Sequence, residues 1–357
     1  MGAIDAVVTW VDGSNPQHIK KRREALLMSG HHPDRPSNGT EETRFSNLGE
    51  IYYCIASILK YAPFVRYIYV VADNQVPSHI QDFVKCGLCE AGKIRIVDHR
   101  TIFEGYEEFL PTFNSLSIEL MLWRIPGLSE AFLYFNDDVF LNAPVSPDDF
   151  MDASGRMVVY GRPRSVWPRL LKYRLKKIKC FLKGRVPPAH FKTAQMHAAR
   201  LFNLADYVEV GHTPHLMRRS VFREFFERHP QAVRRQLKPK FRTLDQFLPA
   251  GLPVHAAFRE SNVELRRRQE VYLKPSLVGP NQLDMIRNEH GLFGCAQSLD
   301  RFKPTDLRVF RTAMADKLAE YLPKAALLWM EQLDRKRMSR QRDHAEASVL
   351  LWKADME

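Results

Sequence analysis

The sequence predicts an α/β fold, Rossmann-like, with a mostly parallel sheet and a helical C-terminal region. Three observations carry this expectation. Strand-like apolar runs alternate with segments of helical spacing through the first half of the chain. Three of those runs stop abruptly at acidic residues, Asp12, Asp73 and the pair Asp137 and Asp138. With 357 residues, 45% of them hydrophobic, the chain also has enough apolar material for a sizeable core in one large or two coupled domains.

Taken in order, Ile4–Val11 reads as a buried strand closed by the turn pair Asp12-Gly13, with a helix beginning near Pro16. Asn47–Tyr61 places Leu48, Ile51, Tyr52, Ile55, Ile58 and Leu59 at helical spacing, and Asn47 and Glu50 stand at capping-box spacing. Tyr67–Ala72 and Ile94–Val97 are β-rich runs, the first ending at Asp73 and the second at Asp98. Ser115–Trp123 reads as helix, and Ala131–Phe135 as a strand that runs into Asn136-Asp137-Asp138. If these strands are parallel, their terminal carboxylates gather on one rim, where open α/β sheets bind ligands.

The stretch from Ala153 to Ala205 contains no Asp or Glu and is dense in Lys and Arg. Within it Trp167, Leu170, Leu171, Leu175, Ile178, Phe181 and Leu182 fall on one helical face, with Pro168 and Gly184 as punctuation. Such a helix either packs by its apolar face, leaving a solvated basic side, or lies on an anionic surface. From about Pro304 the pattern is mostly helical, with a second basic cluster at Arg335, Lys336, Arg337, Arg340 and Arg342 that reads as a solvated face.

The formal net charge of +12 favours anionic partners in general. No established nucleic-acid-binding motif accompanies it, so nucleic acid is not expected. The five cysteines are sparse and odd in number, which suits a reducing compartment. The N-terminus lacks the basic and apolar regions of a signal peptide, and no apolar run approaches the ~20 residues that span a bilayer. The expectation is a cytoplasmic protein, free or peripheral on the inner membrane face.

Four segments carry candidate chemistry. In Thr9–Pro16, Asp12 either serves an ordinary turn or stands beside a ligand with the amides that follow it. Arg44 precedes the Asn47–Tyr61 helix, where a phosphate would meet both its guanidinium and the helix N-terminus. Asn136, Asp137 and Asp138 offer hard oxygens at a strand end, a donor set for Mg²⁺ or Mn²⁺ bound together with substrate phosphates. In Gly211-His212-Thr213-Pro214-His215, one histidine is a candidate general base; the competing reading is one core and one surface histidine.

Together these segments resemble the Stealth family of bacterial capsular polysaccharide phosphotransferases, to which the catalytic subunit of animal N-acetylglucosamine-1-phosphotransferase is related. The resemblance runs as four blocks from Ile4 to about Leu322: Ile4–Gly13; Arg44-Phe45 through Val70–Pro77 to Asn136–Val139; Gly211–His215 with Arg242; and, faintly, Phe293–Gln297. It implies transfer of hexose-1-phosphate from a nucleotide sugar, a UDP-hexose, to an acceptor hydroxyl in capsular or exopolysaccharide synthesis. A metal-dependent glycosyltransferase that moves the sugar alone and a non-catalytic polyanion-binding protein are the alternatives. Asp12, Glu119, Asn136, Asp137, Asp138, His212 and Arg242 match the family's catalytic and substrate-binding positions, with Asp73 and His215 behind them. The roles that follow are His212, Glu119, Arg242 and Asp138 in catalysis, Asp12, Arg44, Asp73 and Asn136 in donor binding, and Asp137 with Asp138 on Mg²⁺ or Mn²⁺. The expected partners are the nucleotide-sugar donor, a saccharide acceptor, and an anionic membrane surface or capsule-assembly proteins. Two departures stand out. Asn47-Leu48 replaces the family's Asp-Asn pair, and Cys295-Ala296-Gln297-Ser298 replaces Cys-Leu-Asn-Asp, leaving Asp300 as the substitute acid. The implied organisation is an α/β nucleotide-sugar-binding part (1–150), a basic, partly helical insertion (151–205), the remainder of the catalytic domain (206–303) and a helical C-terminal region (304–357).

Overall fold

The computed structural model describes residues 2–29, 40–337 and 339. Its strands are β1 (Ile4–Thr9), β2 (Val65–Ala72), β3 (Ile94–Asp98), β4 (Ala131–Asn136), β5 (Val139–Leu141), β6 (Met157–Ser165), β7 (Asp206–Val210), β8 (His215–Arg218), β9 (Val263–Arg266), β10 (Glu270–Leu273) and β11 (Phe293–Ala296). The principal sheet has the order β3-β2-β1-β4-β8; its first four strands are parallel and β8 is antiparallel to β4. Strand order therefore reverses at β1, which lies between β2 and β4. Ligands of open α/β sheets bind in the crevice at such a switch, beyond the carboxyl ends of the strands. The fold is thus α/β and Rossmann-like, as its strand–helix alternation predicts.

The central strands are apolar because both of their faces are covered. Ala6, Val7 and Val8 of β1 and Phe132, Leu133 and Phe135 of β4 are fully buried. Asp5 is the exception, and its charge is answered: Arg66 donates to it at 2.9 and 2.7 Å, and the N–H groups of Ser129 and Tyr67 donate at 2.7 and 3.2 Å. This acid sits at the amino end of its strand and locks the edge of the sheet opposite the crevice.

Two three-stranded sheets, β10-β11-β5 and β7-β6-β9, carry the later segments against this core. One contiguous hydrophobic cluster runs from Ile4 to Met330, so sequence-distant segments share a single interior. The C-terminal region supplies the Pro304–Lys317 helix and a helix over residues 324–337. Of the second basic cluster, Arg337 donates to the carbonyls of Leu299 and Phe302 at 3.3 and 2.8 Å, whereas Arg340 and Arg342 lie outside the described residues.

Two local expectations are corrected. β1 ends at Thr9, two residues early; Trp10 N–H still donates to Val71 O at 3.0 Å, and the turn follows at Asp12–Asn15. The second helix begins at Glu50 rather than Asn47: Gly49 is its cap, in a left-handed conformation at φ 91° where a Cβ would stand 2.5 Å from Met330 Sδ. The Glu50 carboxylate then folds back to accept from Leu48 N–H at 2.8 Å, while Asn47 accepts from Gly49 N–H. The basic helix forms at Val166–Leu182, and of the two readings left open for it, packing by its whole apolar face is not the one seen. Val166 and Leu170 are buried, whereas Trp167, Leu171, Leu175, Ile178, Phe181 and Leu182 are exposed.

Candidate active site

A cavity of about 440 Å³ opens at the carboxyl ends of β1 and β4. Arg44, Asp73, Glu119, Asn136, Asp137, Asp138, His212 and Arg242 all line it, although up to 198 positions separate them in sequence (242 − 44). The sheet brings in the Asn136–Asp138 turn directly from β4. The 211–215 turn arrives between β7 and β8, whose His215 pairs with Tyr134 of β4.

Arg242 belongs to a loop strapped to the helix that carries Glu119. Asn114 caps that helix by accepting from Leu116 N–H at 3.1 Å, and its amide donates to Pro239 O at 3.0 Å and Gln246 Oε1 at 2.9 Å. Phe113 N–H donates to Lys240 O at 2.9 Å, and the rings of Phe113 and Phe241 stack 5.5 Å apart. Arg242 itself donates to Ser115 Oγ. Arg44 reaches the cavity differently. Gly13 N–H donates to Phe45 O at 2.8 Å, which pins the short 42–45 helix against the loop after β1. Arg44 lies close enough to Arg242 that burial and the neighbouring guanidinium together lower its pKa to about 10. Two cations facing one cavity call for an anion with more than one charge.

His212 is held as a filled sandwich, with Phe191 at 4.8 Å and 17° on one face and Tyr272 at 5.1 Å and 7° on the other. Burial lowers its pKa, Asp138 opposes that shift, and Arg242 and Arg268 add to it. Near neutral pH the ring is therefore uncharged and able to accept a proton. Burial raises the pKa of Asp138, against the attraction of His212 and Arg242. Asp137 is pushed up well above the usual carboxylate range by burial and by the charges of Asp138 and Glu50.

Glu119 is buried, and burial raises its pKa to about 7 in spite of Arg242. One of its oxygens, Oε2, is buried without a hydrogen-bond partner. Beside it, Tyr134 donates to Asn136 Oδ1 at 2.8 Å and lies 3.2 Å from Thr9 Oγ1, so β1 and β4 join in one polar network across the switch crevice. Sequence reasoning missed Tyr134, Thr9 and Glu50 as cavity residues. Tyr134 left a usable signal, since a residue two before Asn136 on a strand shares its face. Glu50 stands at capping-box spacing in the sequence, and in the fold its pKa is raised to about 7, chiefly by burial.

Not every candidate points into the cavity. The Asp12 carboxylate accepts from Ser14 N–H at 2.9 Å and Ser14 Oγ at 2.6 Å, and Asp12 is not among the lining residues. It closes the turn, which is one of the two readings its sequence position allows. Asp73 reaches the lining but is paired with Lys21 at 2.9 Å. His215 is half-buried, and desolvation lowers its pKa to about 4, which makes it a neutral wall residue. Asp300 lines the cavity and accepts from Thr43 Oγ1 at 2.6 Å, and Gln297 beside it accepts from Tyr272.

Among the described residues, no group of three His, Cys, Asp or Glu side chains forms a ready metal cage. Asp137 and Asp138 alone offer the hard carboxylate oxygens that suit Mg²⁺ or Mn²⁺, in the one- or two-carboxylate manner in which Mg²⁺ is commonly bound.

Comparison with known proteins gives the chain's relatives. Residues 2–30 match Stealth protein conserved region 1 (CR1), and residues 44–159 match conserved region 2 (CR2). An exopolysaccharide phosphotransferase of Streptomyces coelicolor is 35% identical over 237 residues, 65% of this chain and 23% of that protein. Capsular polysaccharide phosphotransferases of Actinobacillus pleuropneumoniae and Neisseria meningitidis are each 32% identical, over 67% of this chain and 61% and 60% of theirs. The chain thus spans less than two thirds of the length of these relatives. Among solved structures, mouse xyloside xylosyltransferase 1 is similar at 9% identity and TM-score 0.41, over 82% of this chain and 97% of that one. A galactosyltransferase solved with donor and acceptor sugar analogues is similar at 12% identity and TM-score 0.41, over 90% and 98%. Carrying both conserved regions in order, with relatives of this kind over two thirds of its length, the chain belongs to the Stealth family.

Proposed function

We propose that this protein transfers hexose-1-phosphate from a nucleotide sugar, a UDP-hexose, to an acceptor hydroxyl in capsular or exopolysaccharide synthesis. The observation that carries the reading is the convergence of His212, Glu119, Asp138 and the paired guanidiniums of Arg44 and Arg242 on one cavity at the switch crevice. Relatives named as capsular and exopolysaccharide phosphotransferases support the reaction class.

In this mechanism Arg44 and Arg242 bind the diphosphate, which removes their mutual repulsion and places positive charge where it builds up on the phosphoryl oxygens. Asn136 and the Tyr134 hydroxyl hold the polar floor of the crevice, and Asp73 stands at its edge. His212 takes the proton of the acceptor hydroxyl as that oxygen attacks the β-phosphorus. A new phosphorus–oxygen bond joins the acceptor to the hexose phosphate. The bond from the β-phosphorus to the bridging oxygen breaks, and the nucleoside monophosphate leaves with that oxygen. Asp138 stabilises the imidazolium so formed, and Glu119 orients the sugar or serves as the alternative base. Mg²⁺ or Mn²⁺ held by Asp137 and Asp138 would supply charge neutralisation on the diphosphate. The reading includes a cytoplasmic location, and no described helix is long and apolar enough to cross a membrane.

Incubation with a panel of UDP-sugars and Mg²⁺ or Mn²⁺, followed by identification of the released nucleotide, tests this. UMP is expected. Release of UDP would instead mark transfer of the sugar alone, and no turnover across the panel would favour a polyanion-binding protein. Asp138→Asn should lower UMP release by about 100-fold or more while the melting temperature holds or rises, because a strained buried charge is removed. Undiminished turnover in that variant would take Asp138 out of the mechanism.

A further inference from the structure

Among the described residues, the Val166–Leu182 helix gathers six exposed large apolar side chains. Trp167, Leu171, Leu175, Ile178, Phe181 and Leu182 recur at helical spacing, so they form one stripe, and they are between 57% and 84% exposed. Val166 and Leu170, beside the stripe, pack onto Met196, Ala199 and Tyr207 and fix the helix to the body. The helix is therefore anchored along one edge, while its main apolar face meets water. Its other side carries Arg169, Lys172, Lys176, Lys179 and Lys183, and the whole stretch from Ala153 to Ala205 has no acid to neutralise them.

We propose that this helix docks the protein on an anionic lipid bilayer, with the stripe in the acyl boundary and the flanking cations on the headgroups. Each half of the pattern excludes a different rival. A nucleic acid or acidic polysaccharide would satisfy the cations and leave six large apolar side chains in water. A second copy packed stripe to stripe would cover the apolar face but set two unneutralised cation rows side by side. An anionic bilayer answers both, since it offers hydrocarbon and negative charge a few ångströms apart.

The helix is also tied to the cavity walls. Tyr173 donates to Asp245 at 2.8 Å and Lys177 pairs with the same carboxylate at 3.1 Å, three residues beyond Arg242. The helix that follows begins at Phe191, which stacks on His212. Docking thus sets the cavity beside the membrane, where an acceptor anchored in lipid would arrive. That consequence rests on the phosphotransferase reading, whereas the lipid contact does not.

The test is co-sedimentation of the full chain with vesicles of phosphatidylcholine alone and of phosphatidylcholine mixed with phosphatidylglycerol. Binding to the mixed vesicles is expected, falling as salt is raised. The double variant Leu175→Glu, Phe181→Glu should lose about tenfold or more of that binding, while its melting temperature and its nucleotide release in solution match the parent. Replacing Lys172, Lys176 and Lys179 by Gln should weaken binding and flatten its salt dependence. Two results would overturn the proposal. One is parent protein that stays in the supernatant with both vesicle types. The other is a parent dimer in light scattering that the double variant converts to monomer, which would mean that a second copy covers the stripe.

Discussion

At Glu119, burial holds the carboxyl at about 7 when an ordinary Glu sits near 4.5. The folded chain therefore keeps a proton there, between about pH 4.5 and 7, that the unfolded chain gives up. Its pKa is raised on folding, so stability falls as pH climbs through that window and stays low above it. The full penalty is on the order of 3 kcal/mol at most. Glu119→Gln removes the titration while keeping the shape. Its stability relative to the parent should rise between pH 5 and pH 8, read as the difference in urea midpoints at the two values. Parallel pH dependence in parent and variant would show that the group titrates normally. Glu50 is raised in the same direction but is common to both proteins, so it largely cancels from the comparison. Burial of this kind is what the sequence could not display. The residue type and strand-end position of Asp137 and Asp138 were legible, but the desolvation of Glu50 and Glu119 depends on side chains that arrive from distant segments. At Asp12 the sequence left a turn and a ligand contact equally open, and the hydrogen bonds from Ser14 supply the turn.

Among the elements, the parallel strands were legible because a strand covered on both faces must be apolar along most of its length, and β1, β2 and β4 are, apart from the paired Asp5 and Arg66. Helix starts were less so. A capping-box spacing competed with Gly49, and the glycine won because Met330, far along the chain, leaves no room for a Cβ. Gly13 has a comparable constraint with a consequence for the cavity. A Cβ there would lie 2.2 Å from Phe45 O, so Gly13→Ala must push the 42–45 segment away from the loop after β1. Arg44 sits in that segment. The variant should fold with a loss of about 1–3 kcal/mol, and it should bind UDP about tenfold or more weakly as Arg44 leaves its place beside Arg242. Calorimetric titration with UDP, alongside a urea melt, separates the two effects. Unchanged UDP affinity would mean that the 42–45 segment does not set the nucleotide site.

Across the whole molecule, the division into an α/β part, a basic insertion and a helical C-terminal region remains a proposal about organisation, and one side chain gives a way to test it. Arg311 in the Pro304–Lys317 helix is 8% exposed. It donates to Asp334 at 2.7 and 2.9 Å, to Leu48 O at 2.8 Å and to Tyr53 at 3.4 Å. It thereby clamps the C-terminal helices to the turn that starts the helix of Glu50. Arg311→Met removes the charge but keeps most of the volume, leaving Leu48 O buried without this donor and Asp334 without its cation. The cost should be about 3 kcal/mol. Because one hydrophobic cluster runs from Ile4 to Met330, that cost should appear as a single unfolding transition moved to lower temperature. If the C-terminal region were an independent unit, calorimetry would show the main transition unmoved and a smaller one melting ahead of it. A single shifted transition is the expected result, since the residues that shape the cavity and those that cap the far end of the chain share the same core.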